Sequence, residues 1–347
     1  MIQGKGAQIN PENPFLKNAI SNQHDEGIDV YTHLEKPKTE IFFETPKQVI
    51  SKNSSPDLKH EYSVNPYQGC EHGCSYCYAR NSHTYWGWSA GLDFESKIIV
   101  KKEVAQNLAN EFQKRTYRVK PIMLSGNTDC YQPIEREFKL TRAILQVALN
   151  YRHPISLITK NALVLRDLDL IAQLAKLNLI HVHFSITSLD EKIRSKLEPR
   201  TSTAKKKLNA IEILTAHQVP VGIMIAPVIP GLTDSEIPNI MKAASRAGAI
   251  KAGYSVLRLN GQVQDVFEDW LEKAFPDSAE KVKNQVRALH GGKPNDSNWG
   301  RRMTGEGAEA EMIQQLFELG QKTYFENKKI PPLETQHFLK GGNYALF

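Results

Sequence analysis

From Tyr62 onward the chain alternates between short apolar or β-branched runs and longer stretches whose apolar residues recur three or four positions apart. The runs are "YSV" (62–64), "PIMLSG" (121–126), "ISLIT" (155–159), "IHVHFSI" (180–186), "VPVGIMIA" (219–226) and "AGYSVLRL" (252–259). Each reads as a strand. "LTRAILQVALNY" (140–151), "DLDLIAQLAKL" (167–177), "AKKKLNAIEILTAH" (204–217) and "DSEIPNIMKAASRAG" (234–248) carry the period of amphipathic helices. Pro238 falls in the first turn of the last one, where proline is tolerated. From the second run on, strand starts lie roughly 25 to 40 residues apart, the length that strand–helix–strand crossovers of a parallel sheet require. The six units predict an α/β fold, a partial (β/α)6 TIM-like barrel, because a full eight-unit barrel needs more chain. In such folds functional groups sit on loops at the carboxyl ends of the strands.

Both ends depart from this alternation. Residues 1–60 lack sustained periodicity and are rich in Asn, Pro, Lys and Glu. They predict an N-terminal arm that wraps the barrel or stays mobile, with "IFFE" (41–44) as a candidate strand. Residues 61–260 form the predicted core barrel. Over 261–347, "VFEDWLEKAF" (266–275), "SAEKVKNQVRALHGG" (278–292) and "AEAEMIQQLFELGQKTYFEN" (308–327) predict a C-terminal helical extension over the barrel's mouth or edge. The polar, glycine-rich "GKPNDSNWGRRMTGEG" (292–307) interrupts it.

Composition adds little to this picture but limits it. With 347 residues, 40% hydrophobic and 24% charged, and a mean hydropathy of −0.44, the chain has the make-up of a globular protein with a real core. No apolar run approaches the ~18 residues of a membrane span, and the N-terminus carries no secretory pattern. The expectation is a cytoplasmic protein without a membrane partner, whose thiols serve as ligands or redox groups. The formal charge of +6 would help association with a phosphate backbone. Its excess lies in Lys97–Lys120 and Lys192–Lys207, which read as solvated helix faces, with nucleic-acid contact as the other reading.

Three of the four cysteines crowd into "NPYQGCEHGCSYCYAR" (65–80), the loop after the first predicted strand. Cys70, Cys74 and Cys77 follow the spacing C-x3-C-x2-C. Structural zinc sites usually join two short, distant motifs and close all four positions. Here Cys130 lies 53 residues beyond Cys77, after the second strand. Three thiols on a four-iron cube leave one iron free to bind a small molecule. Zinc on the three cysteines with His72 or His83 is the alternative.

The cysteine motif, with Tyr76 just before its last cysteine, resembles the signature of the radical S-adenosylmethionine (SAM) enzymes. The wider text is similar to their spore photoproduct lyase-like branch, also called DNA repair photolyase-like. "GLDFESKI" (91–98), "SGNTDCYQPIE" (125–135), "LITKN" (157–161), "SITSLD" (185–190), "EPRT" (198–201) and "APVIPGLTD" (226–234) carry that likeness, which covers roughly residues 60 to 335. The resemblance implies that Cys70, Cys74 and Cys77 ligate a [4Fe-4S] cluster and that SAM chelates its fourth iron. Reductive cleavage of SAM to a 5′-deoxyadenosyl radical would follow, with damaged DNA the favoured substrate. Such a cluster works toward the reducing end of the roughly −700 to +450 mV range of these centres. A flavodoxin- or ferredoxin-like electron donor is therefore an implied partner.

The same resemblance assigns candidate SAM contacts. Tyr76 offers backbone to the adenine edge. Gly126, Asn127 and Thr128 approach the methionyl amine. Lys160 pairs with the carboxylate, Ser185 with ribose or carboxylate, and Arg200 clamps the carboxylate with Glu198 orienting it. Ile225 and Ala226 flank the adenine. In spore photoproduct lyases a cysteine after the second strand resembles a hydrogen-atom donor; that position is Gly126 here, and Cys130, four residues on, is the candidate for a radical or redox role. The competing function classes are a zinc-stabilised nucleic-acid-binding protein and a radical activase of a partner protein. His181 and His183 share one strand face toward the barrel interior. "NDSNWGRR" (295–302) offers Trp299 to stack a base and Arg301 and Arg302 to hold phosphate, with loop packing as the plainer account.

Overall fold

The computed structural model describes residues 1–16, 38–58 and 60–342. Residues 17–37 of the predicted arm and the last five residues lie outside these. Ten strands occur among the described residues: β1 (Glu40–Phe43), β2 (Ser51–Lys52), β3 (Tyr62–Val64), β4 (Tyr67–Gln68), β5 (Lys97–Val100), β6 (Ile122–Leu124), β7 (Ile155–Thr159), β8 (Ile180–Ser185), β9 (Val221–Val228) and β10 (Lys251–Val256).

The main sheet runs β10-β9-β8-β7-β6-β3-β2. Its neighbours from β3 to β10 are parallel, and β2 closes one edge antiparallel to β3. The six parallel strands fall on the six predicted runs and form an open, partial (β/α)6 barrel. Leu157 pairs with Val182 and Phe184 with Ile223, and all four side chains are fully buried. Strands covered on both faces show near-continuous apolar runs, which made these segments legible.

Helices return the chain between the strands. Leu140–Tyr151 lines the core with Ile144, Leu145 and Ala148; Leu168–Lys176 does so with Leu170, Ile171 and Leu174. Thr203 caps the Ala204–Ala216 helix by accepting from the Lys206 amide at 3.2 Å. Ile237–Arg246 carries its proline in the first turn, as predicted.

A second sheet, β1-β5-β4, was not foreseen as a unit. "IFFE" is indeed a strand, and it pairs parallel to β5, Ile41 against Ile98. The basic stretch from Lys97 thus begins as strand, with Ile98, Ile99 and Val100 buried, and continues as the helix Val104–Gln113. Flanking lysines hid this in the sequence.

The ends hold the barrel from outside. Phe267, Trp270 and Leu271 of the Val263–Ala274 helix share an apolar cluster with Cys74 and Tyr76. Ile313 and Phe325 of the Ala308–Phe325 helix join the main core. No helix among the described residues is long and apolar enough to cross a membrane.

Candidate functional site

The cysteine loop leaves β4 and runs into the short helix Tyr78–Trp86. Gly69 and Gly73 adopt φ of +81° and +68°, so the chain reverses around Cys70 without a Cβ penalty. A side chain at Gly73 would meet the Glu95 carboxylate at 2.7 Å. Neighbouring elements fix the loop through its backbone. Cys70 N–H donates to Phe94 O at 2.9 Å, Ser75 N–H to Leu197 O at 3.2 Å, and Gln132 Nε2 to Gly69 O at 3.0 Å.

Arg80 and Glu95 brace it from below. Both are fully buried and paired. The Arg80 guanidinium also donates to the carbonyls of Cys74, Ala90 and Gly91. The N-terminal residues then strap across. Gly6 and Ala7 donate their amides to the Glu95 carboxylate at 3.2 and 2.7 Å, and Gly6 lies so close that a Cβ would sit 1.7 Å from Gly73 O.

Cys70 and Cys74 are buried under this strap, and Cys77 is partly exposed. Burial pushes all three thiols up. Arg80 and Lys160 oppose that at Cys74 and Cys77, and both stand ready to offset the charge of bound thiolates. Cys130 is elsewhere. It is fully buried in the main apolar core, its N–H on Ser125 Oγ at 2.8 Å and its carbonyl accepting from Thr141.

A polar network adjoins the loop at the strand ends. Lys160, just past β7, donates to Ser185 Oγ at 2.6 Å, to Glu198 Oε1 at 2.9 Å and to the Ala226 carbonyl at 3.4 Å. Glu198 is its hub. Its carboxylate accepts from the Tyr76 hydroxyl, Thr187, Thr201, Lys160 and Lys207. Burial opposes its charge, but Lys160 and Lys207 outweigh that and hold it well below the usual carboxylate range. Burial would likewise lower the Lys160 ammonium, yet the Glu198 charge turns the balance upward.

Thus the structure brings Tyr76, Lys160, Ser185 and Ala226 together, with Ile225 buried beside them in β9. Gly126, Asn127 and Thr128 line the neighbouring strand end. There Gly126 O accepts from Tyr78 OH at 2.7 Å, Asn127 N–H donates to Asn65 at 2.9 Å and Thr128 to Tyr67 O at 2.7 Å. Arg200 has other partners than the Lys160 network. Its Nε donates to Gly4 O at 3.0 Å and its NH1 lies 3.8 Å from Glu71. Glu198 therefore holds Lys160 rather than orienting Arg200, a pairing that sequence adjacency suggested wrongly.

Residues without a sequence assignment complete the frame. Asp129 accepts from Thr159 Oγ1 and the Lys160 amide and faces His72 Nδ1 at 3.3 Å. Lys207, read as part of a solvated face, is 1% exposed. His181 and His183 lie apart from the site; His181 donates to Pro331 O at 2.7 Å.

A profile of the Radical SAM superfamily matches residues 64–244. The chain belongs to that superfamily. A radical SAM chain carries a [4Fe-4S] cluster and uses SAM, and the donor set here fits such a cluster. Three thiols share one loop while the fourth cysteine is locked in the core. An uncharacterized protein of Mycobacterium tuberculosis is 33% identical over 232 residues, 66% of this chain and 68% of that one. An uncharacterized protein of Methanocaldococcus jannaschii is 30% identical over 252 residues, 72% of this chain and 89% of its own. A spore photoproduct lyase complexed with dinucleoside spore photoproduct superposes with a TM-score of 0.60 over 82% of this chain and 79% of that one, at 16% identity. At that identity the likeness is one of fold.

Proposed function

We propose that this radical SAM enzyme acts on damaged DNA, as a lyase of the spore photoproduct lyase type. When bound and reduced, the cluster supplies the electron that splits SAM into methionine and a 5′-deoxyadenosyl radical. The chain's own part is to hold and orient. Cys70, Cys74 and Cys77 would carry the cluster. Lys160, fixed by Glu198, presents one ammonium beside Ser185 and the Ala226 carbonyl, a setting suited to a carboxylate-bearing sulfonium. The Gly6–Ala7 strap and the Trp270 cluster keep water from the loop's buried side.

The observation that carries the reading is this junction of the Lys160 network with the cysteine loop, through Tyr76 and Glu198. The DNA part draws on the mild positive charge and on exposed aromatics after the loop. Tyr78, Tyr85 and Trp86 are 57%, 80% and 42% exposed, and nucleobases stack on such rings.

The test is anaerobic reconstitution with iron and sulfide, then dithionite, SAM and a lesion-bearing oligonucleotide deuterated throughout its thymine residues, ring C6 included. Release of 5′-deoxyadenosine carrying deuterium is the expected result. Equal release with lesion-bearing and intact DNA, without deuterium, would reject the substrate.

A further inference from the structure

Arg258 lies two residues past the end of β10, at the barrel's sixth parallel strand. Its neighbours Leu257 and Leu259 are buried in the apolar cluster that holds Cys74 and Tyr76, so alternation turns the arginine to the other side. There it is partly buried and poorly bonded. Among the described residues its Nε is buried without a hydrogen-bond partner. Its NH1 reaches only the Met303 thioether, at 3.6 Å, a weak acceptor.

The carboxylates near enough to act on its charge are Asp57 and Asp296. Both are committed. Asp57 accepts from Arg302 and from the Gly300 amide; Asp296 accepts from Arg301 and from the Asn298 amide. Arg302 repels Arg258, and Tyr78, the residue after Cys77, also faces it. The loop that brings Met303 carries Trp299 with 65% of its surface exposed. A guanidinium with unfilled donors, near the exposed Tyr78 ring that follows the cysteine loop, matches a phosphate flanked by a base. Arg301 and Arg302, the phosphate candidates of the sequence, are already occupied.

We propose that Arg258 grips a phosphate group of the substrate at the barrel mouth. This rests on the reading of the site as the radical-generating centre and names how that site recognises its substrate. The fork of the guanidinium takes two phosphate oxygens, while Tyr78 borders the adjoining base.

The test uses the full chain, reconstituted anaerobically, in wild-type, Arg258→Gln, Arg258→Lys and Arg301→Gln forms. Binding of a fluorescein-labelled single-stranded oligothymidylate is followed by anisotropy across salt concentrations, and binding of ribose 5-phosphate by calorimetry. Visible cluster absorbance and melting temperature report intactness. Arg258→Gln is expected to weaken oligonucleotide binding about tenfold or more, with a salt slope shallower by about 0.7. Arg258→Lys falls between, and Arg301→Gln leaves binding unchanged. If ribose 5-phosphate binds and depends on Arg258 while the oligonucleotide does not bind, the phosphate site stands and the DNA substrate fails. Binding that is equal in wild type and Arg258→Gln, equal losses in the Arg258→Gln and Arg301→Gln forms, or no binding of either probe would overturn the proposal.

Discussion

Lys207 and Glu198 meet at 3.3 Å with their side chains 1% and 0% exposed. Lys207 also donates to the Ser185 carbonyl at 3.0 Å, so it ties the carboxylate hub to β8. Its neighbours Lys205 and Lys206 are exposed. Removing one partner of a buried pair leaves an uncompensated charge and costs about 3–5 kcal/mol. Because Glu198 keeps Lys160, Lys207→Met is expected at the lower end of that range in urea denaturation. Lys205→Ala and Lys206→Ala should stay within about 0.5 kcal/mol. Equal effects at the three positions would show that Lys207 is solvated after all.

Cys130 separates a three-thiol site from a four-thiol one. It packs in the main core, away from the cysteine loop's clusters. Cys130→Ala should therefore keep full iron and sulfide content after reconstitution, at a stability cost of about 1 kcal/mol. Each of Cys70→Ala, Cys74→Ala and Cys77→Ala should lose the visible cluster absorbance. Iron loss in Cys130→Ala matching theirs would make it a ligand.

Gly6 is where the strap presses on the cysteine loop. A methyl there would fall 1.7 Å from the Gly73 carbonyl oxygen, so backbone must move. Gly6→Ala is expected to destabilise by about 1–3 kcal/mol and to speed iron release to a chelator from the reconstituted protein. Gly341→Ala, where no atom lies within 4 Å, is the control. Identical chelation kinetics in the two variants would dismiss the strap as a cover.

The barrel was legible because six buried parallel strands must be apolar almost throughout, and no other element writes that pattern so plainly. The strap was not, because it is held by its own amides on Glu95 and needs no periodic side chains. β5 was masked by the lysines beside Ile98 and Ile99. Lys207 could have been flagged, since it shares a helix face with Ala204, Ala210 and Ile211, all buried. Glu198 could not. Whether it serves Arg200 or Lys160 is decided by how the "EPRT" turn meets β7, a tertiary fact that its neighbours in sequence do not encode.

His153 gives the fold a dependence on pH that can be signed in advance. It is fully buried, stacked on Phe112 at 4.3 Å and 7°. Its Nδ1–H donates to Pro154 O at 3.0 Å and its Nε2 accepts from Tyr117 OH at 2.8 Å. Burial pulls it down to about 3, against a small opposing effect of the Pro154 carbonyl. An unfolded histidine titrates near about 6.5. Between those values the unfolded chain binds one more proton, so stability is full above about pH 6.5 and falls as pH drops toward 3. The slope is at most about 1.4 kcal/mol per pH unit from this residue. Burial lowers His83, His181 and His183 as well, to about 4, 4 and 3, and they add to the acid sensitivity. His153→Phe should lower stability at neutral pH, where it forfeits the Tyr117 bond, yet flatten the fall between about pH 6 and 4. Urea midpoints for both proteins over that interval measure it. Parallel slopes would mean that His153 is protonated in the folded state as readily as in the unfolded one.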